Sequence, residues 1–279
     1  MRVVITGASG FLGHHLVSKL RQSQELNLEI VGVSRHKISG LTQVSDYRQT
    51  PSGDVLVHLA EVNSRSGAEI RGNAELHKSS STIESFNKKQ FSRIIYASSA
   101  VLYGDLSTTK HSTTDSLIAK DSYANLKLSG EQAILATGKG IVLRISNLYG
   151  EGMNISNVMS TVMRQASRSN KVVVESLEPI RDFLWIEDAT QVIARLALGN
   201  SEITPTRVIN IGSGEGTSIR ELAEIALAAA GRSNFDISAR SISAPSCIIL
   251  NINETIEQIG WSPTVDIYAG LSRLMHLKK

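Results

Sequence analysis

The chain has 279 residues, 41% of them hydrophobic and 20% charged, which is enough to bury a sizeable core as one large domain or one domain with a smaller lobe. Its net charge of +3 comes without a basic run longer than the terminal Lys278-Lys279, so no nucleic-acid partner is called for and a patch that attracts a phosphate-bearing small molecule suffices. The single cysteine, Cys247, excludes an internal disulfide framework and fits a reducing compartment.

Arg2 to Thr6 is a β-branched run that reads as a buried strand, with no cationic lead or apolar signal core ahead of it. No run of about 18 apolar residues follows anywhere, so a cytoplasmic protein that does not span a membrane is expected. The strand leads into Gly7-Ala8-Ser9-Gly10-Phe11-Leu12-Gly13, and beyond it Leu12, Leu16 and Leu20 recur at helical spacing. Strand, glycine turn and helix is the order that holds a dinucleotide. Gly7 permits the tight turn, Gly10 lets the backbone approach a pyrophosphate, and Gly13 lets helix and strand pack closely. The diphosphate would rest on the free N–H groups that open the helix, around Ser9, Phe11 and Leu12.

Glu29 to Val33 reads as a second strand, ending in Ser34 and Arg35. An acid there would bond the ribose 2′-hydroxyl of NAD, whereas an arginine pairs with the 2′-phosphate of NADP. Ser34 and Arg35 therefore favour NADP, with NAD as the alternative. Residues 38 to 53 are short and polar, with an edge strand near Val44 to Arg48. Asp54 to Ala60 is an unbroken apolar run of the buried parallel type, and His58 within it reads as a satisfied core histidine. The seven histidines show no metal-ligand spacing, so no metal is expected.

A helix is expected from Glu69 to Asn87, then a strand from Arg93 to Ser98 with a hydroxyl-rich exit, Ser98 to Gly104. Ligands of open α/β sheets sit at such strand ends, which makes Ser99 a candidate. Asp121 and Ser122 read as caps for a helix bearing Tyr123 and Lys127, four apart and so on one face. An ammonium beside a phenol favours the phenolate and makes the tyrosine a usable proton donor or acceptor. Gly140 to Ile145 is the next strand, followed by a polar end with Asn147. A helix from Ile155 to Ser167, a strand from Lys171 to Glu175, a helix closing at Leu198 and a strand from Val208 to Ile211 complete this part. Ser218-Ile219-Arg220-Glu221 is a capping box for a helix that ends at Gly231. Asn253 to Gly260 and Val265 to Leu277 read as small helices of a minor lobe.

Several of these motifs in this order resemble the extended short-chain dehydrogenase/reductases, within them the nucleotide-sugar epimerases, dehydratases and reductases. The matches are Thr6 to Gly13, Asp54 to Ala60, Ser98 to Gly104, Tyr123 to Lys127, Arg144 to Gly150, Arg181-Asp182-Phe183, Asn210 to Gly214 and Gly260-Trp261-Ser262-Pro263. The resemblance implies an α/β fold, a Rossmann doubly wound parallel sheet over residues 1–150. A smaller C-terminal α/β substrate lobe would cover residues 151–279, with a segment near 183–212 returning to the sheet. It implies a nucleotide-sugar substrate bound between the two, and a homodimer formed through two helices per subunit. Ser99 would bond the reacting sugar oxygen, Tyr123 would pass a proton to or from it, and Lys127 would hold the nicotinamide ribose. Leu59, Ala60 and Asn73 would contact the cofactor, and Asn147 and Arg181 the substrate's diphosphate or nucleotide.

Departures narrow the chemistry. The dehydratases of the group carry Asp-Glu directly after the catalytic hydroxyl residue, where this chain has Ala100-Val101, and Val101 also replaces the cysteine of the 3,5-epimerases. What remains is reduction of a 4-keto sugar nucleotide with NADPH, or a 4-epimerisation with NAD. A noncatalytic NADP-binding regulator is the alternative from another class, and the retained tyrosine and lysine argue against it. Asp46 is a candidate for the acid that relatives use on the adenine ring.

Overall fold

The computed structural model describes residues 1–107, 109–199, 207–242 and 244–276, so Leu277 and Lys278-Lys279 lie outside the described residues. In chain order the elements are β1 (Arg2–Thr6), α1 (Phe11–Arg21), β2 (Glu29–Ser34), β3 (Thr42–Gln43), β4 (Val55–His58), α2 (Arg65–Asn87), β5 (Arg93–Ser99), α3 (Ser122–Leu135) and β6 (Gly140–Ile145). There follow β7 (Asn147–Tyr149), α4 (Val158–Ala166), β8 (Lys171–Val174), β9 (Ile180–Trp185), α5 (Ile186–Leu198), β10 (Arg207–Ile211), β11 (Gly216–Ser218), α6 (Ile219–Ala229), β12 (Asp236–Ala239), β13 (Cys247–Ile248), α7 (Asn253–Ile259) and α8 (Ile267–His276).

Seven strands form one parallel sheet in the order β10-β6-β5-β4-β1-β2-β3. The order runs outward from β1 in both directions, so the crossovers reverse between β1 and β4, and loops diverge there to leave a crevice at the strand ends. Alternate residues of the central strands feed two separate cores. Val3, Ile5, Val55, Val57 and Ile95 pack under α1 and α5, whereas Val4, Leu56, Ile94 and Tyr96 pack under Ile83 and Phe86 of α2 and Ile134 of α3. Burial on both faces is why these strands read as unbroken apolar runs.

A third core gathers α4, α6 and α8 with β8 and β9, through Met163, Leu222, Phe183 and Leu271 among others. Around it β11, β9 and β13 form a small sheet that β7 joins by pairing with β9, and β12 pairs with β8. The chain enters this part after β6, returns through α5 and β10, and leaves again.

Local differences from the sequence expectations have local causes. The edge strand expected at Val44 to Arg48 is instead β3 at Thr42–Gln43 followed by a 3-10 turn, Tyr47–Gln49, capped by the Asp46 side chain. Arg181 to Trp185, which carried no assignment in the sequence, belongs to β9 and runs directly into α5. α2 begins four residues earlier than expected and is kinked at Gly72, whose φ of 47° and ψ of −136° are non-helical. Ser218 accepts the Glu221 N–H at 3.1 Å and caps α6 as expected.

Candidate active site

The crevice begins at the glycine turn. Gly7 has a φ of 72°, and a Cβ there would stand 2.9 Å from the Leu59 carbonyl carbon, while a Cβ on Gly13 would stand 2.2 Å from the Gly7 carbonyl oxygen. Only glycine at both positions lets the first turn of α1 sit down on the end of β1. The Gly10 N–H donates to Gly7 O at 2.9 Å. As the N-cap of α1, Gly10 supplies no side-chain acceptor, and the first turn carries no acid. The positive end of α1 therefore opens with N–H groups that no side chain satisfies.

Gly7, Gly10, Phe11, Leu12 and Gly13 line one end of a groove of about 560 Å³, and Leu59, Ser99, Tyr123, Lys127, Asn147 and Arg181 line its other walls. The carboxyl end of β5 brings Ser99, which caps the 3-10 turn Ala100–Tyr103 by accepting the Val101 N–H at 3.3 Å. That leaves its hydroxyl proton for a partner in the groove. α3 brings the other two: Asp121 caps the helix by accepting the Ala124 N–H at 2.7 Å, which fixes the turn that carries Tyr123. One turn later the Lys127 ammonium lies 5.9 Å from the centroid of the Tyr123 ring. A groove with an acid-free helix start at one end and a hydroxyl, a phenol and an ammonium at the other fits an elongated dinucleotide.

Lys127 is buried and bonded in a way that its sequence context did not disclose. Its Nζ donates to Ala97 O at 2.8 Å and to Glu61 Oε2 at 3.0 Å. The same carboxylate accepts the hydroxyls of Ser79 and Tyr96. Burial pushes Lys127 down, and Glu61 foremost, together with Tyr123 and Glu131, outweighs it to hold the ammonium above the ordinary lysine value. Burial likewise would push Glu61 up, and Lys127, His58 and the two hydroxyls hold it below the ordinary glutamate value. Glu61 has no signal of its own in the sequence: it is an acid directly after an apolar strand, as on any loop. Only the meeting of chain positions 61 and 127 reveals it.

The remaining sequence candidates fall in several different places. Asn147 and Arg181 lie in the groove: Asn147 Nδ2 donates to Asp182 O at 3.4 Å, and the Arg181 guanidinium is braced by Ser246 O at 3.0 Å and Ser246 Oγ at 2.6 Å. Arg35 lines an adjoining hollow of about 200 Å³ with Tyr47, Ala60, Glu61, Arg71 and Lys78. Its guanidinium lies 5.5 Å from the Tyr47 ring centroid. Ser34 differs from expectation. It is fully buried, donates to the Ser9 hydroxyl at 3.0 Å and accepts the His36 N–H at 3.0 Å, so it ties the end of β2 to the glycine turn and does not enter the hollow.

Asn73 also differs, because it lines a separate hollow between α2 and α3 with His77, Asn125 and Leu128. On the face of α2 turned toward the end of β4, Ser79, six positions on, donates its hydroxyl to Glu61 Oε1, and Arg71, Lys78 and Thr82 line the hollow beside it. Asp46 is committed to Arg48, whose Nε lies at 3.0 Å, and this partner holds its carboxyl below the ordinary range. His58 is 2% exposed, shares a 2.6 Å hydrogen bond with Thr6 Oγ1, and is pushed down to about 4 by burial. No helix among the described residues is long and apolar enough to cross a membrane.

Residues 3–212 match the family model described as the NAD dependent epimerase/dehydratase family. A dTDP-4-dehydro-6-deoxyglucose reductase of Escherichia coli is 27% identical over 98% of this chain and 96% of its own length. A putative UDP-glucose 4-epimerase of Methanocaldococcus jannaschii is 22% identical over 99% and 98%. Among solved structures, MoeE5 in complex with UDP-glucuronic acid and NAD superposes with a TM-score of 0.86 at 21% identity, covering 100% of this chain and 99% of that one. The matched residues run from the first strand of the seven-stranded sheet to its last, and the chain belongs to the NAD dependent epimerase/dehydratase family.

Proposed function

We propose that this protein reduces a 4-keto sugar nucleotide with NADPH, the keto sugar being of the 6-deoxy class. The observation that carries the reading is the shared groove: Ser99, Tyr123 and Lys127 line the same cavity as the glycine turn. A nicotinamide dinucleotide, when bound, supplies the hydride. The N–H groups around Gly10, Phe11 and Leu12 hold its diphosphate. Arg35, in place of an acid at the end of β2, meets a ribose 2′-phosphate, and Leu59 and Ala60 flank the adenosine half. Lys127 reaches the nicotinamide ribose.

Ser99 donates to the sugar's carbonyl oxygen and polarises it. Tyr123 gives the same oxygen its proton, so that charge never builds up on it as the carbon is reduced. Asn147 and the braced Arg181 receive the anionic diphosphate of the substrate. The lack of Asp-Glu after Ser99 argues against dehydration, and similarity to a dTDP-4-dehydro-6-deoxyglucose reductase over nearly the whole chain supports the substrate class.

Purified protein mixed with NADPH and a dTDP-4-keto-6-deoxy sugar is expected to consume the reduced dinucleotide mole for mole, followed by its absorbance. No consumption with dTDP-, GDP- or UDP-linked 4-keto sugars overturns the reading. Interconversion of two UDP-sugars without added dinucleotide replaces it with the 4-epimerase, the reading that similarity to the archaeal relative supports. Tyr123→Phe, which keeps the ring and removes the proton, is expected to lower kcat about 100-fold or more with little change in dinucleotide affinity.

A further inference from the structure

Glu61 stands one residue past Ala60, at the end of β4 where the sheet changes direction, and its side chain is only 6% exposed. Three elements converge on its carboxylate. Ser79 of α2 donates to Oε1, while Tyr96 of β5 and Lys127 of α3 donate to Oε2. Lys127 is itself 8% exposed, and Ala97 O takes a second of its N–H groups at 2.8 Å. An ammonium has three, so one remains for a ligand in the groove. A lysine buried this far sheds its proton readily once its counter-charge is removed.

We propose that Glu61 is the positioning residue of the reaction site: it fixes the Lys127 ammonium beside Tyr123, keeps it charged, and leaves a single N–H for the groove. The inference rests on the function proposed above, in which Tyr123 moves the proton. The other titratable groups facing the pair are His58 on β4, Tyr96 on β5, and Tyr123 and Glu131 on α3. Glu131 is engaged by Arg144 at 2.9 Å and by the Ser98 hydroxyl, and His58 is neutral well below pH 7. Among the described residues, Glu61 is thus the acid that meets Lys127 directly. Without it, Lys127 turns neutral at a lower pH, the ammonium no longer acts on Tyr123, and reduction fails on the alkaline side sooner.

The test begins on the protein alone. In protein labelled with 13C-lysine, the Lys127 Cε resonance, assigned by its loss in Lys127→Arg, reports the charge on Nζ. In Glu61→Gln, or Glu61→Ala should the glutamine variant not fold, its titration midpoint is expected to fall by about one pH unit or more. Glu61→Asp keeps the charge and is expected to stay near wild type. The alkaline limb of kcat for NADPH-dependent reduction should move down with the resonance in Glu61→Gln and stay in Glu61→Asp. A resonance unmoved by Glu61→Gln overturns the proposal, and so does a moved resonance with a stationary limb. If the wild type reduces no keto sugar, the proposed function fails, while the titration still decides whether Glu61 governs Lys127.

Discussion

His58 and Lys127 flank the same carboxylate and are held in opposite charge states, which shows how strongly single contacts decide protonation in this layer. Lys127 has Glu61 within 3.0 Å and stays charged, whereas His58 spends its Nδ1 on Thr6 and is driven to about 4 by burial. The ordinary histidine value is about 6.5, so as pH falls the unfolded chain takes up this proton first and the folded one only near 4. Stability is therefore lost through that window on acidification, by about 2 kcal/mol between pH 7 and pH 5. Urea midpoints at the two pH values measure it, and His58→Gln is expected to remove most of the difference. At this scale the sequence was legible where chemistry depends on spacing within one element, as for Tyr123 and Lys127. It was silent on Glu61, which only the meeting of distant segments reveals, and on the turn of α2 that carries Asn73 into the hollow against α3, because both are set by how whole elements pack.

The elements that position the groove were legible for a reason visible in the packing. β1, β4, β5 and β6 are covered on both sides, so their apolar runs are continuous, and α6 carries its cap in the sequence. β3, β11 and β13 are two or three residues long and owe their existence to neighbouring strands, a tertiary cause that no local pattern records. α1 is the element most tightly bound to one residue type. Gly13→Ala would set a methyl 2.2 Å from Gly7 O, a backbone atom that cannot swing aside. The helix start must lift away from β1, at a cost of about 1–3 kcal/mol. The expected result is a lower urea midpoint together with weakened dinucleotide binding, measured by quenching of protein fluorescence. Binding retained at wild-type affinity would contradict this account of the glycine turn.

Across the whole molecule one carboxylate links segments far apart in the chain. Asp182 accepts the Ser213 N–H and hydroxyl at 2.7 Å each on Oδ1, and the Gly214 and Leu250 N–H groups at 3.1 and 3.2 Å on Oδ2. Asp182→Asn keeps the shape but turns one oxygen into a donor facing donors, so about 2–4 kcal/mol of stability should be lost, read as a shift in urea midpoint at unchanged slope. Among the described residues the third core is joined to the large sheet by several separate passages of backbone: from β6 into β7, from β9 into α5, from β10 into β11, from β13 back to α7 beside β10, and from α7 into α8. A body hung from one cord can spin, and one hung from several can only tilt. The walls that carry Arg181 and Asn147 can therefore settle over the glycine turn by a small rocking, but they cannot swing wide.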